Sequence, residues 1–210
     1  MRNATEAAAL VGKILSYEGS TGANSVLLTS DLNDGYNFAA IGGSLAALLP
    51  GDMQVQEVVR GTSDDATVKN QILAAINQGK TIVNYNGHGS VNQWRGNILT
   101  NADAAGMTNS QRLAFFVMMT CLNGYFDDPV LDSLAESLLK SSGGAAAVWA
   151  SAAQCEPGAQ EQLNQELYRL LFNGGSLTVG EAAARAKQVV TDADVRRSWV
   201  LFGDPAMRLK

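Results

Sequence analysis

Thr81-Ile82-Val83-Asn84-Tyr85-Asn86-Gly87-His88-Gly89-Ser90 decides the reading of this chain, and it carries the single histidine. Thr81, Ile82, Val83 and Tyr85 predict a short buried strand. Gly87 and Gly89 break that strand on either side of His88, which puts the imidazole on a turn at the strand's C-terminal end. In an open parallel sheet, ligands and chemistry gather at that end. A second apolar run, 113–120, behaves the same way and stops at Cys121, followed by Leu122-Asn123-Gly124. A third, Ser25-Val26-Leu27-Leu28-Thr29-Ser30, stops at Asp31. Three predicted strands thus end in titratable groups that a parallel sheet would bring to one edge, and a thiol beside an imidazole is a nucleophile beside its base.

Outward from there, strand and helix alternate. Helices are predicted over 4–18, with Leu10, Ile14 and Tyr17 apolar, over 38–49, stopped by Pro50-Gly51, and over 65–78. The last is capped by Ser63 or Asp64 and has Val68, Ile72, Ala75 and Ile76 on one face. A half-buried strand covers 53–59. The stretch 91–112 reads as a long irregular connection containing Trp94, of the kind that walls or covers a site. Beyond Cys121 come a helix over 130–140 with Leu131, Leu134, Leu138 and Leu139 inward, a small-residue strand over 145–151 and a loop over 152–158. Helices over 159–172 and 178–190 follow, and 198–209 reads as a strand or turn that docks the C-terminus. Repeated βαβ units predict an α/β fold with a mainly parallel sheet and helices on both faces.

The composition suits one domain with an ample core: 210 residues, 46% hydrophobic and only four prolines. A net charge of −5 offers no basic footprint for nucleic acid or an anionic membrane. No apolar run reaches the roughly 20 residues of a membrane span, and no signal-peptide pattern precedes the first helix. The two cysteines, Cys121 and Cys155, can pair in principle, but a disulfide scaffold would have more.

A thiol is only slightly ionised at neutral pH, and an adjacent imidazole raises the thiolate fraction and can protonate a leaving amine. A carboxylate on the other ring nitrogen would orient the base, a role open to Asp31. Backbone amides at Gly89 and Cys121 can bind a developing oxyanion, where one donor is worth about 3–4 kcal/mol of barrier. Each residue also has an ordinary explanation. A lone histidine in a glycine-rich turn is commonly a hydrogen-bonded turn residue, and a cysteine after an apolar strand is commonly core filling. Asp31 and Asp34 are turn formers, and their loop lacks the regular acidic spacing of a calcium motif. A zinc site from His88, Cys121 and Cys155 has no supporting ligand spacing. Gly87-His88-Gly89 begins like a dinucleotide fingerprint, but Asn92 stands in place of the third glycine.

Asn84 to Ser90, Thr120-Cys121-Leu122-Asn123-Gly124-Tyr125-Phe126, Leu134-Ala135-Glu136 and Trp199-Val200-Leu201-Phe202-Gly203-Asp204-Pro205 together resemble the gingipain family of cysteine peptidases, in the caspase-like clan. The resemblance spans essentially the whole chain, so residues 1–210 are expected to form a single caspase-like catalytic subdomain. It implies a cysteine endopeptidase with Cys121 as nucleophile, His88 as general acid and base, Asp31 as the supporting acid, and the amides of Gly89 and Cys121 as oxyanion hole. Peptide substrate is implied at Asp34, Asn37, Trp94, Ser151 and Glu156. The loop after Asp31 is shorter than in the arginine- and lysine-cleaving relatives and the tryptophan of the third loop is missing, so Asp34 and Glu156 are the carboxylates near enough to recognise a basic P1 side chain. No cofactor is implied, and a structural calcium has no motif behind it. The resemblance also implies a secreted or cell-surface bacterial protein and a preceding α/β subdomain, from which this chain is expected to be excised. The alternative is an inert binding module or a surface-attachment acyltransferase.

Overall fold

The computed structural model describes residues 3–210. Eight strands run in chain order as β1 (Ser25–Ser30), β2 (Gln54–Val59), β3 (Ile82–Asn86), β4 (Gly89–Ser90), β5 (Gln93–Trp94), β6 (Ala114–Met119), β7 (Ala145–Ser151) and β8 (Trp199–Phe202). The helices are α1 (Ala4–Gly19), α2 (Phe38–Ala46), α3 (Asp65–Asn77), α4 (Asn101–Ala105), α5 (Leu134–Lys140), α6 (Pro157–Asn173), α7 (Val179–Ala186) and α8 (Ala193–Ser198). Six strands form one sheet in the order β2-β1-β3-β6-β7-β8, and β4 and β5 form a small hairpin. Every neighbouring pair in the large sheet is parallel except β7 with β8. The fold is therefore the expected one, a mainly parallel sheet covered on both faces.

That topology explains the sequence pattern. Strands β1, β3, β6 and β7 are buried along their whole length, so they read as continuous runs. At the edge, β2 is largely exposed, so it reads as alternating. Leu45, Leu163, Leu167 and Val179, from α2, α6 and α7, pack with Val26, Leu28 and Phe115 on one face. Val68, Ile72, Ala104 and Leu138, from α3, α4 and α5, pack with Leu27, Val83 and Phe116 on the other. Helix α1 crosses between the layers, with Tyr17 in the first and Leu10 against the second. The Lys13 ammonium pins it there, with Nζ 2.6–3.1 Å from the carbonyl oxygens of Leu138, Leu139, Ser141 and Gly143, among which its three N–H donors are shared.

Local chemistry moves three boundaries. Helix α5 starts at Leu134, not Val130, because Ser133 and Glu136 form a capping box and the Asp128 carboxylate accepts from the Val130 and Leu131 amides in a turn. Leu131, expected inward, is consequently 58% exposed. The connection 91–112 contains β5 and α4, the latter with its own capping box between Thr100 and Asp103. The expected helix over 178–190 ends at Ala186, and a separate short helix, α8, is started by the Asp192 side chain accepting from the Asp194 and Val195 amides.

Candidate active site

Strands β3 and β6 are neighbours, with Asn86 paired to Met119. His88 and Cys121 each lie two residues beyond that pair, so two strand-ends about 4.8 Å apart deliver the imidazole and the thiol to the same edge. Both line a cleft of about 480 Å³ with Gly87, Gly89, Leu122, Gln154, Cys155, Glu156, Pro157, Gln160, Asp192 and Asp194. Four segments thus build one wall each: the β3 turn, the β6 turn, the stretch running from β7 into α6, and the start of α8.

The histidine turn is held by its backbone. The His88 carbonyl accepts from the Tyr85 hydroxyl at 2.8 Å and from the Arg95 amide at 2.9 Å. Its amide donates to Asp31 Oδ2 at 3.1 Å, and the Gly87 amide donates to the Met119 carbonyl at 3.1 Å, tying the turn to the cysteine strand. A Cβ on Gly87 would stand 2.4 Å from Asp31 Cβ, and one on Gly89 would stand 2.6 Å from Thr120 Oγ1, so both turn positions are closed to larger residues.

Asp31 does not orient the ring as expected. Its fully buried carboxylate is taken up by the Leu32 amide at 2.7 Å, the His88 amide and the Arg60 guanidinium at 3.0 Å. Arg60 in turn grips Asp65 at 2.7 and 2.8 Å, and these bonds to Asp65 and Asp31 raise its already high pKa. Asp31 is thus a buried brace of the turn's backbone, its charge compensated by Arg60 and two amides. The ring itself meets Asp34, whose Oδ2 lies 3.2 Å from Nε2. Arg95 Nη1 also bonds that carboxylate, and Arg95 first, then His88, holds the Asp34 carboxyl below the usual range. The Phe38 ring stands edge-on to the imidazole at 5.3 Å.

Cys121 is partly exposed at the end of β6, with Sγ 3.7 Å from the Cys155 carbonyl oxygen. Leu122 follows in the left-handed region at φ 61°, unusual for a branched residue, and its amide donates to the Ala153 carbonyl at 3.2 Å. Asn123 is the residue that sequence reasoning missed here. Its side-chain amide donates to the Ser90 carbonyl and, at 3.2 Å, to the Gln93 carbonyl, which braces the β4–β5 hairpin against the cysteine turn. Below the site, Asn84, Asn86 and Asn164 form a fully enclosed cluster of amide hydrogen bonds at 2.9–3.3 Å between β3 and α6. Asn84 and Asn86, two apart in a buried strand, were a readable signal: a polar pair on one buried face requires a partner.

The remaining expected substrate contacts separate. Glu156 lines the cleft. Trp94 does not: it is fully buried, stacked on Tyr85 with ring centroids 4.2 Å apart. Asn37 is the N-cap of α2, accepting from the Ala40 amide at 3.1 Å. Ser151 is buried behind the cleft wall, its hydroxyl 3.3 Å from Cys155 Sγ and 3.1 Å from Ser198 Oγ. Burial pushes the Cys155 thiol pKa up, against these hydroxyl bonds. Asp34 belongs to the histidine rather than to the cleft lining. Asp192 and Asp194, beside Glu156 in the lining, had no sequence signal because α8 itself had none. Among the described residues no three His, Cys, Asp or Glu side chains gather to hold a metal ion, and no helix is long and apolar enough to cross a membrane.

The fold and the sequence both have relatives. Gingipain R2 and gingipain R1 of Porphyromonas gingivalis are each 27% identical over 173 residues, which is 73% of this chain but only 23% and 17% of those proteins. The crystal structure of the Arg specific cysteine proteinase gingipain R superposes with a TM-score of 0.88 at 20% identity, over all of this chain and 54% of that one. A complex of Porphyromonas gingivalis RgpB pro- and mature domains gives a TM-score of 0.84 at 20% identity, over 96% of this chain and 53% of that one. The chain thus spans about half of those solved chains and under a quarter of the curated relatives. The model of peptidase family C25 matches residues 1–210, from end to end: the chain belongs to peptidase family C25.

Proposed function

We propose that this chain is the catalytic unit of a cysteine endopeptidase, with Cys121 as nucleophile and His88 as its acid and base. The observation that carries the reading is the register of β3 with β6, which delivers both groups to one cleft. With Nε2 engaged by Asp34, Nδ1 is the ring nitrogen left to take the thiol proton. The thiolate then attacks the scissile carbonyl carbon, forming the C–S bond, and the carbonyl oxygen gains negative charge. The Gly89 and Cys121 amides are the assigned donors to that oxygen. The C–N bond breaks as the imidazolium gives its proton to the amine, leaving an acyl-enzyme. Water, deprotonated by His88, attacks the acyl carbon, and the C–S bond breaks to return the thiol.

Three carboxylates on the cleft wall, Glu156, Asp192 and Asp194, favour a cationic substrate side chain beside the thiol. The resemblance also supports a preceding α/β subdomain as partner and a working location outside the cell. A peptide-library digest tests the activity: the Cys121→Ala and His88→Ala proteins are expected to lose at least about 10³-fold in kcat/KM. Cleavage by Cys121→Ala at the parent rate overturns the reading. Transfer of the acyl group to an added amine in place of water, read by mass, would make the chain a transferase.

A further inference from the structure

Arg95 brackets the histidine twice. Its amide donates to the His88 carbonyl at 2.9 Å, and its guanidinium bonds the Asp34 carboxylate that meets His88 Nε2 at 3.2 Å. Asp34 sits in a polar loop, Asn33-Asp34-Gly35, and its side chain is one-third exposed. An exposed carboxylate on such a loop has little to hold it against an imidazole, since the attraction of two mobile surface charges is largely offset by their own side-chain entropy. Arg95 directly follows β5, and its bond to Asp34 ties the loop after Asp31 to the end of that strand, with the carboxylate between the guanidinium and the ring. Asp31 Oδ2, at 4.0 Å from Arg95 Nη1, adds a second negative charge that keeps the guanidinium on that side.

We propose that Arg95 is a positioning residue of the catalytic histidine, acting through Asp34: it holds that carboxylate on Nε2, and thereby commits Nδ1 to the thiol. The inference rests on the peptidase reading for its consequence but not for its test. Asp34 presented by Arg95 favours a proton on Nε2 and resists rotation of the ring, which is what a base needs if its other nitrogen is to remain free. The other charged or titratable groups around the ring are fixed by different contacts. Asp31 is committed to Arg60 and to backbone amides, and the Tyr85 hydroxyl to the His88 carbonyl. Cys121, Glu156, Asp192 and Asp194 line the same cleft as the ring, on segments that Arg95 and Asp34 do not belong to.

Because the chain has one histidine, the imidazole 15N resonances report the tautomer of His88 alone in the intact protein, at a pH where the ring is neutral and with no turnover needed. The parent is expected to keep its ring proton on Nε2, and Asp34→Asn to shift the population toward Nδ1–H. Arg95→Ala is expected to shift it equally, the double variant no further, and Arg95→Lys to retain most of the parent population. In peptide cleavage the same substitutions are expected to reduce kcat about tenfold with KM nearly unchanged, again restored by lysine. The inference is overturned if Arg95→Ala leaves the tautomer in place, if Asp34→Asn has no effect on it, or if Asp34→Asn keeps its full effect in the Arg95→Ala background. A protein whose tautomer responds as expected yet cleaves no peptide refutes the peptidase reading and leaves this one standing.

Discussion

Cys121 and Cys155 share a cleft, yet their surroundings differ in kind. The Cys155 thiol is turned toward the Ser151 and Ser198 hydroxyls, at 3.3 and 3.2 Å, and burial raises its pKa, so its thiolate is scarce at neutral pH. Cys121 stands beside the histidine turn. Limited iodoacetamide at pH 7, followed by peptide mapping, is therefore expected to modify Cys121 well before Cys155, and the order should persist in Ser151→Ala; equal labelling of the two would show that the cleft does not distinguish them. Leu122 and Asp31 carry a related lesson. Each was legible as a residue next to something important, but its role came from partners distant in sequence. Leu122 takes up a left-handed turn against Ala153, and Asp31 supports the histidine's amide rather than its ring.

Among the elements, α1 is joined to the rest by an uncommon fixture. The Lys13 ammonium ends in four carbonyls around the end of α5, where burial lowers its pKa to about 8 from the ordinary 10.5. The lysine binds its proton more weakly folded than unfolded, so its contribution to stability increases as pH rises from about 8 toward 10.5 and is lowest below that window. Urea midpoints at pH 7.5 and 9.5 should therefore converge, after comparison with the parent, in Lys13→Met, which has no proton to lose; an identical pH response in both proteins would refute the assignment. The capping boxes at Ser133 and Thr178 show the opposite case, in which four consecutive residues suffice to start a helix. Where the start was misjudged, at Val130, the competing signal was the Asp128 turn just upstream.

At the scale of the molecule, three carboxylates, those of Glu156, Asp192 and Asp194, lie on one cleft lining. A substrate with Lys or Arg beside the scissile bond is expected to be cleaved in preference to its norleucine counterpart. The preference should shrink between 50 and about 500 mM salt, where the screening length falls to about 4 Å. Neutralising the wall with Glu156→Gln, Asp192→Asn and Asp194→Asn together should remove most of it by raising KM. A preference for the norleucine peptide in the parent would show that the wall does not select the side chain.

The alternation of apolar runs and capped helices, with Gly87 and Gly89 around His88 and Cys121 just past the next run, was enough by itself to determine the α/β sheet and to mark His88 and Cys121 as the candidate pair. Those signals are local, because burial of a strand and termination of a helix are written in neighbouring residues. Only the tertiary structure decided what surrounds the pair. The β3–β6 register, the presence of Asp34 in place of Asp31 at the imidazole, the withdrawal of Trp94 into a stack on Tyr85, and the brace from Asn123 all join residues separated along the chain. A carboxylate or an indole has the same local pattern whether it faces a cleft, a backbone amide or another ring, and the packing of the whole sheet selects among them.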